Sequence, residues 1–534
     1  MKRSLALRAI LLLFLTGIIL ASIRAPGIGD KVYAASVPFT ATELLTRPTN
    51  VSVTVNVVPS AAGQMYVQYG TTPGVYTQNT STTTLVAGTP KTVEVQGLNP
   101  NTRYYYRIAS SDNGVDWGYG SEHSFQTQRS QGSTFTFTIT SDSHVNILLG
   151  SATQWQQTIN NVANDHPDFE IDLGDTFSMD YSMVTTQDEA DQRYLYQRQF
   201  FDVIGNSASI FIVRGNHEQQ EAWHLDDTGD EATSQPILAV NAQKKYYPNP
   251  VPGAFYSGDT AQNSFINGDH LKEDYYAWTW GDVLFVVLDP FWYTTTKPFL
   301  GNTGGGETSD TGSGNRWDWT LGSQQFNWFK QVLQGSNAAY KFVFAHQMAG
   351  GSDDYGGRGG AVPANLVEWG GYNTDGSTYA WEANRAVAQW GSTPVHQMMM
   401  ANNVSAFFHG HDHQYGYEVR DGIVYQCLPA AGFSGSGFGS YVEGGDYTIR
   451  AMPSPGHIRV TVTPTQSTVE YVSSATDTNG EVVHSYIILP TNPVIPEIPG
   501  AGILTALLFI MIAATTAKIA LRKKGKNQKL TKAQ

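Results

Sequence analysis

Two periodicities divide the chain. From about Pro48 to Gln128, apolar and polar residues alternate in short runs: Val51, Val53, Val55 and Val57; Met65, Val67 and Tyr69; Val93 and Val95; Tyr104, Tyr106 and Ile108. A two-residue period gives each run one core face and one wet face, so these runs predict the strands of a β-sandwich separated by turns. After Ser133 the rhythm changes. Phe135, Phe137 and Ile139 predict a strand that ends in Ser141-Asp142-Ser143-His144, and a helix follows over about Ala152 to Ala163. Phe169, Ile171 and Leu173 predict a second strand, ending in Gly174-Asp175, and a longer helix spans roughly Gln187 to Ile204. Ile210 to Val213 predicts a third, ending in Gly215-Asn216-His217-Glu218. This β-α-β-α-β order collects polar residues at strand C-terminal ends, where α/β sheets place their sites.

The pattern continues with a strand at Val283 to Leu288 and a helix at Phe326 to Leu333. Strands at Phe342 to Phe344 and Val404 to Phe408 run into His346 and Gly410-His411-Asp412-His413. Ile458 to Val462, Val469 to Val472 and Val483 to Ile488 close the fold, with a hairpin turn at Asp477-Thr478-Asn479-Gly480. The Gly- and Asp-rich stretches 300–315 and 350–376 read as loops over the site.

The ends of the chain change the picture. Lys2, Arg3 and Arg8 precede an apolar run from Ala9 to Ala21, and Val32-Tyr33-Ala34-Ala35 offers small residues for cleavage, the pattern of a secretory signal. Gly502 to Ala517 is apolar and is followed by Lys518, Arg522, Lys523, Lys524 and Lys526, which predicts a short membrane span with a cytoplasmic basic stop. The expected domains are a signal peptide over 1–34, a sandwich over 40–130 and a catalytic domain over 131–489. A Pro-rich linker over 490–500, a membrane anchor over 501–521 and a basic tail over 522–534 follow. The expected location is across and anchored to the cell membrane, with the catalytic domain outside the cytoplasm.

A net charge of −14 with 32 Lys+Arg leaves no basic footprint, so a nucleic-acid polymer is a poor partner. An acidic chain still binds phosphates if a metal supplies the positive charge. The lone Cys427 excludes an intrachain disulfide and reads as a buried small hydrophobe.

Side chains at the strand ends recur in the order Asp-x-His, Gly-Asp, Gly-Asn-His-Glu, His and Gly-His-x-His. They offer oxygen and imidazole nitrogen only, a set that suits Zn, Mn or Fe(II). This order resembles the calcineurin-like metallophosphoesterase superfamily over roughly Thr134 to Ile488. Gly97-Leu98-Asn99-Pro100-Asn101-Thr102-Arg103-Tyr104-Tyr105-Tyr106 resembles a late strand of fibronectin type III domains. A domain of that kind ahead of the catalytic one is similar to the layout of purple acid phosphatases. The fold class implied is multidomain: an all-β fibronectin type III-like sandwich, then an α/β four-layer metallophosphoesterase β-sandwich domain.

The resemblance assigns Asp142, His144 and His413 to one divalent ion, Asn216, His346 and His411 to a second, and Asp175 to both. It places His217, with Asp175 and Asn216, in the catalytic machinery, and lets Glu218 orient His217 by a hydrogen bond. Two departures from the purple enzymes stand out. Ser178 occupies the place of their Fe(III)-binding Tyr, and His144 stands where they have no His. Both point to two divalent ions, Mn, Fe(II) or Zn.

The implied activity is hydrolysis of phosphate monoesters or diesters of small molecules by a metal-activated hydroxide. Two alternatives stand beside it: a surface binding or adhesion protein on an inactive scaffold, and a nucleotidase or nuclease in which Trp317, Trp369 or Trp381 stacks on a base. Core packing is the plainer use of those three. His409 is expected to pack below the metals. Arg358 reads as a solvated loop arginine, with substrate phosphate as its sharper alternative.

Overall fold

A computed structural model describes residues 39–145, 150–179, 184–298, 312–350, 358–435 and 447–491. The expected signal peptide, the linker beyond Thr491, the anchor and the basic tail lie outside these residues. Among the described residues no helix is long and apolar enough to cross a membrane.

The N-terminal part is a sandwich of two antiparallel sheets. Strands β1 (Phe39–Thr46), β2 (Ser52–Pro59), β3 (Gly63–Gly70), β4 (Gln78–Asn79), β5 (Thr83–Leu85), β6 (Lys91–Gln96), β7 (Arg103–Ser111), β8 (Gly118–Tyr119) and β9 (His123–Gln126) build it. One sheet has the order β1-β2-β6. The other has the order β4-β3-β7-β8, with β5 on β3 and β9 on β7. Val53, Val55, Met65, Val67, Val95, Tyr106 and Ile108 fill the core between them. The valine alternation of β2 predicts one wet face, but β2 is buried along its whole length. Its second face lies against the C-terminal domain, where Leu44 and Val58 join a cluster with Trp155, Phe201 and Ile204.

The C-terminal domain opens with β10 (Phe135–Thr140), α1 (Ala152–Asn164), β11 (Phe169–Asp172), α2 (Gln187–Gly205), β12 (Ser209–Ile212) and α3 (Gln235–Tyr246). Ser151 caps α1 by accepting from the Gln154 N–H. Thr186 and Glu189 form a reciprocal capping box on α2, which satisfies two otherwise orphaned helix donors. Next come β13 (Ser257–Gly258), β14 (Tyr276–Trp280), β15 (Val283–Val287), α4 (Gly322–Gly335) and β16 (Tyr340–Phe344). A short helix at Val367–Gly370 lies within the stretch 350–376 read as a loop, and three more follow at Trp381–Asn384, Val387–Trp390 and Val395–Ala401. Then follow β17 (Ala406–His409), β18 (Tyr415–Arg420), β19 (Ile423–Cys427), β20 (Arg450–Met452), β21 (Gly456–Val462), β22 (Ser467–Ser473) and β23 (Val482–Ile488).

These strands form two mixed sheets, β12-β11-β10-β21-β22-β23 and β13-β14-β15-β16-β17-β19-β18-β20. Phe137, Ile139, Phe169, Ile171, Phe285, Phe342, Phe344 and Phe408 interdigitate between them. Helices α1, α2 and α3 cover the six-stranded sheet, and α4 with the short helices covers the other. The result is four layers, helix-sheet-sheet-helix. In each sheet the parallel strands, β10-β11-β12 and β15-β16-β17-β19, stop at one edge.

The sandwich is a packed module. Arg198 of α2 is buried and donates to the carbonyls of Tyr246, Thr42 (2.8 Å) and Asn56 (3.1 Å), the last two in β1 and β2. Tyr106 Oη of β7 donates to the Asn206 carbonyl at 2.9 Å. The neighbouring Gln197 donates to Thr176 Oγ1, beside the Gly174-Asp175 turn.

Two acids of β11 are buried without a cation. Thr138 and Thr140 hydroxyls donate to Glu170, and Thr140 Oγ1 is also 2.9 Å from Asp172 Oδ2. One hydroxyl proton cannot serve two acceptors, so a proton on an acid completes the set. Burial pushes the Glu170 carboxyl up to about 8 and raises Asp172 as well. The sign follows. Glu170 keeps its proton in the fold up to about pH 8 but loses it near 4.5 when unfolded, so its contribution is full below pH 4.5 and falls as pH rises to 8. Glu170→Gln should make stability between pH 5 and 8 less pH-dependent, by at most about 1.4 kcal/mol per pH unit. Unfolding curves at both pH values check it, and an unchanged slope would mean that Glu170 is ionised in the fold.

Candidate metal centre

At the common edge of the two sheets the chain leaves each strand in a sharp turn. Five residues there are not glycine yet adopt left-handed backbone: Asp142 (φ 53°), His144 (44°), Asp175 (56°), His411 (71°) and His413 (59°). Such conformations cost of order 1–3 kcal/mol each and persist only where surroundings over-determine them. Here they turn acid and imidazole side chains inward. The motif glycines allow this crowding. A Cβ on Gly215 would sit 2.2 Å from Asp175 Oδ1, and one on Gly410 would sit 2.0 Å from Ser141 Oγ.

All seven predicted ligands meet. Asp142, His144, Asp175 and His413 form one buried group, and Asp175, His346 and His411 form another. Each group offers donor atoms within 4.8 Å of one another, and Asp175 belongs to both. His144 Nε2 and His413 Nε2 point at each other across 2.8 Å. His413 Nε2 is 3.4 Å and His144 Nε2 3.7 Å from Asp142 Oδ1. On the other side, His346 Nε2 is 3.1 Å from Asp175 Oδ2 and 3.1 Å from Asn216 Oδ1.

The two oxygens of Asp175 have separate partners. Oδ1 accepts the His217 N–H at 2.8 Å. Oδ2 is buried without a hydrogen bond, 3.1 Å from His346, 3.8 Å from His144 and 4.0 Å from His217. Both ring nitrogens of His411 and the Asn216 amide nitrogen are likewise buried without a hydrogen-bond partner. His346 Nδ1 lies 2.8 Å from the Leu173 carbonyl, which fixes the ring with Nε2 facing the cluster.

The electrostatics fit cations. Burial disfavours charge on Asp142, yet His144, His413 and His346 hold its carboxyl well below the usual range. Asp175 is also lowered, against its burial, by His346, His217 and His144. Burial would lower His346, but the charges of Asp175, Asp142 and Glu218 raise it to about 9. The field at that spot therefore favours positive charge. Burial and the Arg358 cation lower His411, and burial beside His144 brings His413 to about 4, so both offer neutral nitrogens. Orphaned oxygen and nitrogen donors, converging on two adjacent points in a negative field, suit two divalent ions.

Two details, at Glu218 and Arg358, depart from expectation. Glu218 does not orient the His217 ring; its oxygens accept the N–H groups of Gly215 (3.0 Å), Asp175 (2.9 Å) and Thr176 (2.9 Å). It thus staples the turn after β11 to the turn after β12. Burial beside Asp175 pushes its carboxyl up to about 7. Arg358 is not solvated: it is buried and donates to the His411 carbonyl at 2.7 Å. Trp317, Trp369 and Trp381 are core residues, so none offers a face to a base. His409 is buried and stacks on Phe407, below the cluster as expected.

Some supports carry no sequence signal. Arg214 pairs with Asp289 at 3.1 Å, and both are buried. Asp412, between two histidines, accepts from the Gly359 N–H (2.8 Å) and the Tyr447 hydroxyl (2.5 Å). The partners lie far apart in the chain, so only their adjacency to a motif residue could have flagged them.

Residues 135–415, more than half the chain, match the family model for calcineurin-like phosphoesterase, and residues 42–138 match the purple acid phosphatase N-terminal domain. No curated protein matches. Among solved structures the fold is similar to purple acid phosphatase PPD1 from yellow lupin (Lupinus luteus) seeds. That likeness has 14% identity, covers 84% of this chain and 74% of that one, and has a TM-score of 0.55. It is also similar to PhoD, at 16% identity over 87% of this chain and 90% of that one, with a TM-score of 0.56. At these identities the likeness speaks for the fold.

Glu218→Gln keeps the shape but turns an amide N–H₂ toward backbone donors. Divalent-ion affinity should fall about 10–100-fold, as for other residues that support ligands. Titration calorimetry with Zn or Mn measures it, and unchanged affinity would separate the staple from the cluster.

Proposed function

This chain belongs to the calcineurin-like phosphoesterase family, and on that premise we propose that it is an extracytoplasmic, two-metal hydrolase of phosphate monoesters or diesters of small molecules. The observation that carries the reading is the pair of buried ligand groups that share Asp175. Asp142, His144 and His413 would hold one ion, Asn216, His346 and His411 the other, and Asp175 both. Bound there, two divalent cations would neutralise phosphate charge and make a water acidic enough to attack phosphorus at neutral pH.

The chain's own residues do the rest. Asp175 holds the His217 backbone through Oδ1, and the His217 ring lies edge-on to His144 with centroids 5.1 Å apart. His217 Nε2 is 4.0 Å from Asp175 Oδ2, so a phosphate held by ions there would lie beside it. We assign it delivery of a proton to the leaving oxygen. Arg358 and Glu218 keep the surrounding backbone in place.

The purified chain should hydrolyse phosphate esters and lose activity on strong chelation, with Mn, Zn or Fe(II) restoring it. Activity that survives complete removal of metal would end the two-metal reading. His217→Ala separates proton delivery from phosphate binding. A nitrophenolate leaves without a proton and an alkoxide does not, so the variant should lose about 10²–10⁴-fold on alkyl esters and far less on nitrophenyl esters. Metal content should stay unchanged. Equal losses on both would leave His217 as a phosphate-binding group.

The extracytoplasmic placement rests on the basic and apolar pattern at both ends of the chain, Lys2 to Ala34 and Gly502 to Lys526. Protease added to intact cells should cut near Pro490 to Pro499 and release an active fragment. Full protection of the chain would contradict this placement.

A further inference from the structure

The metal ligands come from two separate sheets. Asp142, His144, Asp175 and Asn216 follow strands of the six-stranded sheet, and His346, His411 and His413 follow strands of the eight-stranded one. The second ligand group depends on their spacing, because Asn216 Oδ1 meets His346 Nε2 across the gap at 3.1 Å. Backbone hydrogen bonds fix strands within a sheet and not between sheets. The core between the sheets is apolar, and burial of apolar surface is non-directional, so it does not set this distance by itself.

A buried ion pair crosses the gap beside this contact. Arg214 follows β12, two residues before Asn216, and Asp289 follows β15. Arg214 Nη1 donates to Asp289 Oδ2 at 3.1 Å, and each side chain is 1% exposed. Nη2 donates to the Lys272 carbonyl, and Nε to Gln243 Oε1 at 3.4 Å. Three acceptors in three directions fix the plane of the guanidinium. Asp289 is held as firmly. Its Oδ1 accepts the Phe291 N–H at 2.8 Å, and its backbone exchanges two hydrogen bonds with Gln325 of α4, at 2.8 and 2.7 Å. Phe291 in turn lies beside His346, with ring centroids 6.4 Å apart.

Gln243 of α3 closes the other end of the ligand turn. Its Oε1 accepts from Gln220 Nε2 at 3.0 Å as well as from Arg214. Gln220 also donates to Tyr194 Oη at 2.8 Å. Arg214 and Gln220 flank Gly215-Asn216-His217-Glu218-Gln219, so both ends of that turn are tied to one buried side chain. Among the described residues, no bond of Arg214, Asp289 or Gln243 reaches Asp142, His144 or His413.

We propose that Arg214 and Asp289 are positioning residues: their ion pair clasps the two sheets at the metal edge, sets the Asn216–His346 spacing, and so governs the affinity of the second ion and not that of the first. The proposal rests on the two-metal reading. A buried pair suits the task, because pulling it apart would leave two unpaired charges in the interior. The ligands Asn216 and His346 carry no such restraint in their own side chains, which meet only at the ion.

Mn binding to the full, metal-free chain tests it. Calorimetric titration resolves the two ions, and electron paramagnetic resonance tells a coupled Mn pair from isolated Mn. Arg214→Lys keeps a charge opposite Asp289 but loses the fork. It should weaken the second ion about 10–100-fold, leave the first unchanged, and replace the coupled spectrum by that of isolated Mn. Asp289→Asn leaves Arg214 unpaired, whereas Arg214→Met combined with Asp289→Asn removes both charges. The double variant should therefore melt higher than Asp289→Asn alone and still bind the second ion weakly. Glu368→Gln breaks a different buried pair, with Arg385 in the helix layer over the eight-stranded sheet. It should lower stability with both ion affinities as in the wild type. The clasp is overturned if the double variant regains the second ion, if Arg214→Lys weakens both ions equally, or if Glu368→Gln weakens the second ion as much. A wild-type chain that binds fewer than two ions overturns the two-metal reading, and the clasp with it.

Discussion

The buried carboxylate of Asp175 is the constraint around which the rest is arranged. A lone carboxylate in a protein interior is costly unless it is paired or hydrogen-bonded. Here Oδ1 takes the His217 N–H, while Oδ2 faces His346 and His144 without a hydrogen bond. The field of Asp175, Asp142 and Glu218 favours positive charge at that point and raises the His346 imidazole. Two metal ions would meet the same demand and would also bring Asp142, His411 and His413 into use. The negative charge that would destabilise an ordinary core thus becomes the means of binding metal.

Holding such a group needs supports outside the cluster. Glu218 joins the two turns that carry Asp175 and Asn216. Gln197 ties Thr176 to α2, and the next residue, Arg198, ties α2 to carbonyls of β1 and β2. A continuous set of hydrogen bonds therefore runs from the sandwich to the shared carboxylate. This gives the N-terminal module a structural part in the site, whatever else its outer surface does. The left-handed backbone at Asp175 is held by the same supports, through Glu218.

The catalytic-domain strands were legible because burial sets a short period. Phe135, Phe137 and Ile139, and likewise Phe169, Ile171 and Leu173, face the inter-sheet core as their alternation requires. The seven metal-binding candidates were legible because they follow strand ends in a fixed order and carry only oxygen and nitrogen donors. Less could be read where neighbours come from elsewhere in the chain. β2 looked wet on one face until the second domain covered it. Arg358 looked solvated because nothing near it in sequence announces the His411 carbonyl. Glu218 looked like a partner of the adjacent His217, while its donors come from turns on two strands. The helix at Gln235–Tyr246, buried on most sides, shows no amphipathic stripe to find.

The sequence by itself determined the class of the molecule: a β-sandwich followed by an α/β domain, and an oxygen and nitrogen donor set suited to divalent ions. Those are local properties, carried by residue type and by spacing along one strand or turn. The tertiary structure decided what distance in space controls. It made Asp175 common to two ligand groups, left Oδ2 without a hydrogen bond, and turned Glu218 into a staple. Each depends on groups separated by tens to hundreds of residues, whose burial and charge become defined only when the two sheets close against one another.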